Sequence, residues 1–111
     1  MTAYPKPDSH TGDFGKATAT SGAATLHQAS GAVASESIST AAGADYTLTI
    51  TNNLITANSV VLASVATGTN TTAGLVVHEV TASAGQVVIK VRNAHASSAL
   101  NGTIVISFVA H

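Results

Sequence analysis

Histidine and carboxylate side chains are the groups in this chain that could hold a metal ion or transfer a proton. The five histidines do not recur at a short ligand spacing such as His-x-x-x-His; they are His10, His27, His78, His95 and His111. The chain contains no cysteine, so thiolate ligands and disulfides are excluded. We therefore predict no metal site and no cofactor.

Acid–base catalysis needs two ionisable groups near one bond. The carboxylates available for it are few and scattered along the sequence: Asp8, Asp13, Glu36, Asp45 and Glu79. No Gly-x-Ser-x-Gly nucleophile elbow is present, and the stretch from Gly12 to Gly15 is not a phosphate-binding loop. The sequence predicts that the protein is not an enzyme, and it yields no catalytic residue.

The scarcity of charge is the most informative feature of the composition. Charged residues make up 8% of the chain, against about 25% in a typical soluble domain. Because charge keeps monomers apart, a surface built from Thr, Ser, Ala, Asn and Gly is poorly protected against association. Two interpretations follow: much of the exterior lies against other protein, or the chain is a weakly charged extracellular domain that stays monomeric. We favour the first.

Several partner classes are excluded by the same composition. Binding to a phosphate backbone needs clustered cations, and Lys90 and Arg92 are the only close pair. The net charge is −1. No apolar run approaches the ~18 residues of a membrane span, and the N-terminal stretch lacks the apolar segment of a signal peptide. We predict no nucleic-acid partner, no membrane partner and synthesis in a cytoplasm.

Alternating apolar residues define the strands that must position these side chains. Residues 45–51 (DYTLTIT), 86–92 (QVVIKVR) and 104–109 (IVISFV) place one apolar set on one side of a pleated strand. Residues 60–66 (VVLASVA) are typical of a buried strand with apolar residues on both faces, and 75–82 form a further strand. In the Ala- and Ser-rich stretch 17–44 we expect one or two weak strands near a sheet edge, with alternation at 35–40.

The strand count and the turn spacing predict the fold class. About seven strands, no convincing helix and frequent turn signals indicate an all-β, antiparallel β-sandwich or small barrel. Chain length suits one domain and does not distinguish an immunoglobulin-like from a jelly-roll topology. We predict an extended N-terminal arm over residues 1–16, in which Pro5 and Pro7 oppose helix, followed by a β-sandwich domain over 17–111. Tyr4 and Phe14 make this arm either a docking anchor or a frayed terminus.

Two long stretches of the sequence are distinctive, namely TITNNLITANSVVLASVATGTNTTAG and VTASAGQVVIKVRNAHASSALNGTIVISFVAH. They resemble small bacteriophage virion proteins of the capsid decoration or cement type, and the resemblance covers about residues 45–110. Parts of the same stretches also resemble proteins that form phage tails or fibres. No catalytic motif is transferred by this resemblance.

Membership of the decoration family would imply a compact jelly-roll sandwich of seven to eight strands on the outer surface of an icosahedral shell. Its partners would be the major capsid protein and other copies of itself, as a dimer or trimer at symmetry axes. Within such a protein we expect the arm to contact the coat, through Tyr4, Lys6, Phe14 and Lys16. The alternative is a tail fibre or spike component, or a glycan-binding receptor-recognition module, against which the shortage of aromatics counts.

Overall fold

The computed structural model describes residues 14–111, which form eight β-strands and no helix. In chain order the strands are β1 (Phe14–Thr18), β2 (Ala23–Thr25), β3 (Ser30–Ala34), β4 (Asp45–Thr51), β5 (Val61–Thr67), β6 (Leu75–Ser83), β7 (Gln86–Asn93) and β8 (Ile104–Ala110). Sheet A has the order β1-β3-β8-β5, and sheet B has the order β2-β4-β7-β6. The predicted all-β sandwich of seven to eight strands is confirmed. The finer prediction of a jelly roll is not confirmed.

Strand direction departs from the prediction in two places. Among the six strand pairs, β1 with β3 and β2 with β4 are parallel, whereas the other four pairs are antiparallel. The reason is the path of the chain, because the first six strands alternate between the two sheets. A chain that crosses to the opposite sheet and returns brings its next strand back in the original direction.

The core consists of the inward-facing residues of both sheets. As the period-two pattern predicted, Leu48 and Ile50 of β4 are fully buried. So are the alternate residues of β7 and β8 that face them, namely Val87, Ile89, Val91, Ile104, Ile106 and Phe108. Burying one such side chain stabilises the fold by about 1.5–3 kcal/mol, so these central strands supply most of the hydrophobic driving force.

The weaker part of the sequence folds differently from the prediction in two respects. β1 and β2 lie at sheet edges as expected, but β3 lies inside sheet A between β1 and β8. Residues 35–40 form no strand, and Ile38 makes an isolated bridge to Gly102. Gly15 and Gly31 are paired in register between β1 and β3, and Leu26 occupies the space on the inner side that their side chains would fill.

The strand predicted at 60–66 is not buried on both faces, and this prediction was wrong. β5 is an edge strand of sheet A whose residues are half-buried or exposed, and Leu62 is 62% exposed. A continuous apolar run cannot by itself distinguish a central strand from an edge strand, because pairing depends on distant parts of the chain.

The boundary of the predicted arm lies within the first described strand. β1 begins at Phe14, so residues 14–16 pair with β3, and Lys16 is aligned with Ala32. The rest of the predicted arm, residues 1–13, lies outside the described residues.

Candidate protein-binding surface

The outer face of sheet A, meaning the side away from the core, is built from small and apolar residues. Two rows cross the four strands in register, and they consist of Lys16, Ala32, Ser107 and Ser64, and of Thr18, Ala34, Val105 and Ala66. A third row contains Ser30, Val109 and Leu62. Lys16 is the one charged residue that the described strands place on this face. Such a face offers contact area and little electrostatic specificity.

Three large apolar side chains of this surface are exposed and lie close together. Leu62 and Val109 are neighbours across β5 and β8 and are 62% and 41% exposed, and Val60 beside them is 60% exposed. Val60 is held to His111 by two backbone hydrogen bonds, of 3.1 and 2.8 Å. Single exposed apolar residues are ordinary, but a contiguous group is typical of an interaction site.

Two shallow depressions lie on the same face, because its side chains are short. The larger, about 360 Å³, lies over β1, β3 and β8 between Lys16, Thr18 and Val105. The smaller, about 230 Å³, lies beside Leu62 and Val109. Both have apolar walls, and neither contains converging polar groups or an ionisable pair.

The outer face of sheet B carries more charge, although it also exposes an apolar side chain, Val76, which is 49% exposed and paired with Arg92. The Arg92 Nε–H donates a 2.9 Å hydrogen bond to Oδ1 of Asp45, and His78 Nε2 lies 3.9 Å from Oδ2 of the same carboxylate. The hydrogen bond from Arg92 holds the pKa of Asp45 below its ordinary value of 3.8. Lys90 Nζ lies 3.6 Å from Oε1 of Glu79.

These groups are partnered and solvated, which favours a structural interpretation over a chemical one. His78 is the extra residue of a β-bulge on β6, and its Nε2, besides approaching Asp45, lies 3.4 Å from Nη2 of Arg92. Residues 14–111 contain no group of three or more His, Cys, Asp or Glu side chains that could hold a metal ion. We infer that these pairs keep this face soluble.

The loops at one end of the sandwich are closed by buried asparagines. The Asn70 side chain accepts hydrogen bonds from the backbone N–H groups of Thr72 and Asn101, at 3.2 and 3.0 Å. Asn93 donates to the carbonyls of Thr40 and Ser98, at 3.1 and 2.8 Å. Both side chains are used to hold residues 68–74 and 93–102 together, which gives these two buried asparagines a structural role.

The coat-contact residues predicted from the sequence are only partly placed by the structure. Tyr4 and Lys6 lie outside the described residues. The Phe14 backbone is aligned with Ser30, and Lys16 is exposed on β1. Sequence reasoning missed Leu62 and Val109, although a signal was present: in β5 and β8 the residues between the core positions are themselves partly apolar.

Comparisons with known proteins identify no relative. No protein-family model matches the chain, and neither a curated protein nor a solved structure is similar to it. Within residues 14–111, no helix is long and apolar enough to cross a membrane. The function must therefore be inferred from the geometry of the surface and from the resemblance of residues 45–110 to virion proteins.

Proposed function

We propose that this protein is a bacteriophage capsid decoration protein that binds the outside of the icosahedral shell and bridges neighbouring major capsid subunits. The observation that supports this proposal is the outer face of sheet A. On this four-stranded surface the described strands place one charged side chain, that of Lys16, and Leu62, Val109 and Val60 are exposed. A surface of this kind suits contact with another protein. The resemblance of residues 45–110 to virion proteins supplies the identity of that partner.

The proposed mechanism is thermodynamic linkage. A protein that binds the assembled shell and not the separated subunits shifts the equilibrium toward the shell. Covering the remaining exposed part of Leu62, Val109 and Val60 would contribute about 1 kcal/mol apiece. One copy therefore stabilises the shell modestly, and the effect on a particle arises from the many copies bound at once.

The glycan-binding alternative has less support in the described residues. Recognition of sugar rings uses exposed aromatic faces, and both aromatic side chains that the structure describes, Tyr46 and Phe108, are buried. The loops that could form a binding pocket are closed by Asn70 and Asn93. A structural role in the phage tail is a further alternative, which the particle reconstruction described next would distinguish from a role on the shell.

The deciding experiment compares complete particles with particles assembled without this protein. We expect the protein to be found on the outer shell in a particle reconstruction, at a copy number that follows the number of coat subunits. Particles without it should break at a lower temperature and under a weaker osmotic shock. A copy number that matches the symmetry of the tail, or equal resistance of both particles, would rule the proposal out.

A further inference from the structure

The four edge strands of the sandwich differ in how well they are protected against pairing with another chain. Exposed edges are usually protected by short length, by charge or by a bulge. β2 has three residues, β6 contains the bulge at His78 followed by Glu79, and β1 contains Lys16. β5 has seven residues, VLASVAT, without charge, proline or bulge. It is the unprotected edge among the described strands.

The hydrogen bonds between β5 and β8 determine which backbone groups of β5 point toward the open edge. Val60 and His111 exchange both backbone hydrogen bonds, which makes them a hydrogen-bonded pair. Antiparallel ladders alternate, so Leu62, Ser64 and Ala66 also bond to β8. The intervening residues point their N–H and C=O groups away from β8, and they are Val61, Ala63, Val65 and Thr67. Within the described part of the chain, β8 is the only strand hydrogen-bonded to β5, and β6 of the opposite sheet packs beside it.

We propose that β5 of a second copy of this chain pairs antiparallel with this edge, about a two-fold axis at Ser64. This register uses the whole strand: Val61 pairs with Thr67 of the second copy, Ala63 with Val65, and Ser64 with itself. Each outward-facing pair exchanges two hydrogen bonds, which gives about eight across the junction. The two sheets A become one continuous sheet of eight strands.

A second copy fits this edge because the side chains that meet across the two-fold axis neither repel each other by charge nor clash in size. The outer-face side chains at the junction are Leu62, Ser64 and Ala66, which are exposed and uncharged. Leu62 lies opposite Ala66 of the second copy, so a large side chain meets a small one. Lys16 lies on the far edge of each sheet A, which separates the two lysines by about 34 Å, seven strand spacings. Charges that far apart are screened at physiological salt.

The pairing also changes the size of the exposed surface. One outer face of sheet A is about 19 Å wide and 24 Å long, or roughly 450 Å², if strands lie about 4.8 Å apart. A two-fold axis perpendicular to the sheet leaves both outer faces on the same side. The joined surface, roughly 900 Å², reaches the area that one partner contributes to a standard protein interface. The dimer itself does not rest on the capsid role.

Cysteine cross-linking tests the position of the axis, because the natural chain has no cysteine. In Ser64→Cys the two thiols form a non-hydrogen-bonded pair with Cα atoms about 4.5 Å apart, within disulfide range. The matched control is Ser107→Cys, which is the register neighbour of Ser64 one strand further in. Its two copies would lie about 14 Å apart across the dimer. Mild oxidation should convert Ser64→Cys to the disulfide dimer and leave Ser107→Cys monomeric on a non-reducing gel.

Sedimentation of the whole chain tests the pairing without oxidation. The natural protein should sediment as two chains of 11.0 kDa. Ser64→Lys should sediment as one, because lysines directly opposite each other destabilise a strand pair. Ser107→Lys should remain a dimer, and circular dichroism should show that all three proteins are folded. A monomeric natural protein, or equal cross-linking of both cysteine variants, would overturn the proposal and leave the proposed shell-binding role standing.

Discussion

The two outer faces of the sandwich differ in charge although their inner faces are alike. Lys16 is the only charged side chain that the described strands place on the outer face of sheet A. The outer face of sheet B carries Asp45, Arg92 and His78 together with the Lys90–Glu79 pair. The inner faces of both sheets contribute fully buried apolar residues to one core. Since the core does not require this asymmetry, the distribution of charge concerns what each face meets. Under the proposed function, sheet A contacts the coat and sheet B stays exposed to water.

The largest expected effect comes from placing a charge on each face in turn. Val109 of β8 and Val88 of β7 are valines on inner strands of the two sheets, and both point outward. Val109→Lys should weaken binding to particles about 100-fold, because a buried unpaired charge costs several kcal/mol in an interface. Val88→Lys should change binding less than about twofold. Occupancy of particles titrated with each variant measures this. Equal losses would remove the distinction between the faces.

A second prediction compares a tightly packed inner position of sheet A, Gly31, with an outer position of sheet B, Thr49. A Cβ on Gly31 would lie 2.6 Å from Leu26 Cδ2 and 2.8 Å from the Gly15 carbonyl oxygen. Gly31→Ala should therefore lower the free energy of unfolding by about 1–3 kcal/mol, the usual cost of overpacking. Thr49→Ala, on the outer face of sheet B, should change it by less than about 0.5 kcal/mol. Urea denaturation compares the two. A neutral Gly31→Ala would show that Leu26 moves aside freely.

Tyr46 provides a smaller and pH-dependent effect on the side of sheet B. Its hydroxyl donates a 2.9 Å hydrogen bond to Oε1 of Glu36, and burial together with this carboxylate raises its pKa well above 10.0. Because the fold favours the neutral phenol, its contribution is present below pH 10.0 and is lost as the pH rises above it. Tyr46→Phe should cost about 1 kcal/mol at neutral pH.

The alkaline measurement distinguishes this contribution from simple packing. Urea midpoints above pH 10.0 should fall for the natural protein and stay nearly constant for Tyr46→Phe. Parallel decline of both proteins would mean that another group is responsible for the alkaline sensitivity.

The smallest effect is expected from the ion pairs on sheet B. Arg92 and Asp45 are 43% and 23% exposed, so their attraction is largely screened by water. The lowered pKa of Asp45 means that its contribution is present above pH 3.8 and is lost as the pH falls below it. Asp45→Asn should flatten the acid limb of the stability curve slightly and leave particle binding unchanged. A clear loss of binding would place sheet B, and not sheet A, in the interface.

Part of the architecture was predictable because it depends on local alternation. Tyr46, Leu48 and Ile50 lie on one side of β4 whatever it pairs with, since side chains alternate along any strand. The same holds for the buried residues of β7 and β8. The exposed apolar face was partly visible in the sequence, where Val105 and Val109 lie between the core positions of β8.

Strand pairing decided the remaining features, and it joins residues that are distant in the sequence. Whether 61–67 is central or an edge depends on β8, about 40 residues later, and this pairing leaves Leu62 exposed. The register of β4 with β7 brings Asp45 to Arg92. By itself the sequence determined an all-β chain with little charge and no catalytic motif. Only the tertiary structure decided that the charges collect on one face and that the other face ends in an open strand, because hydrogen-bond register is set between segments and not within them.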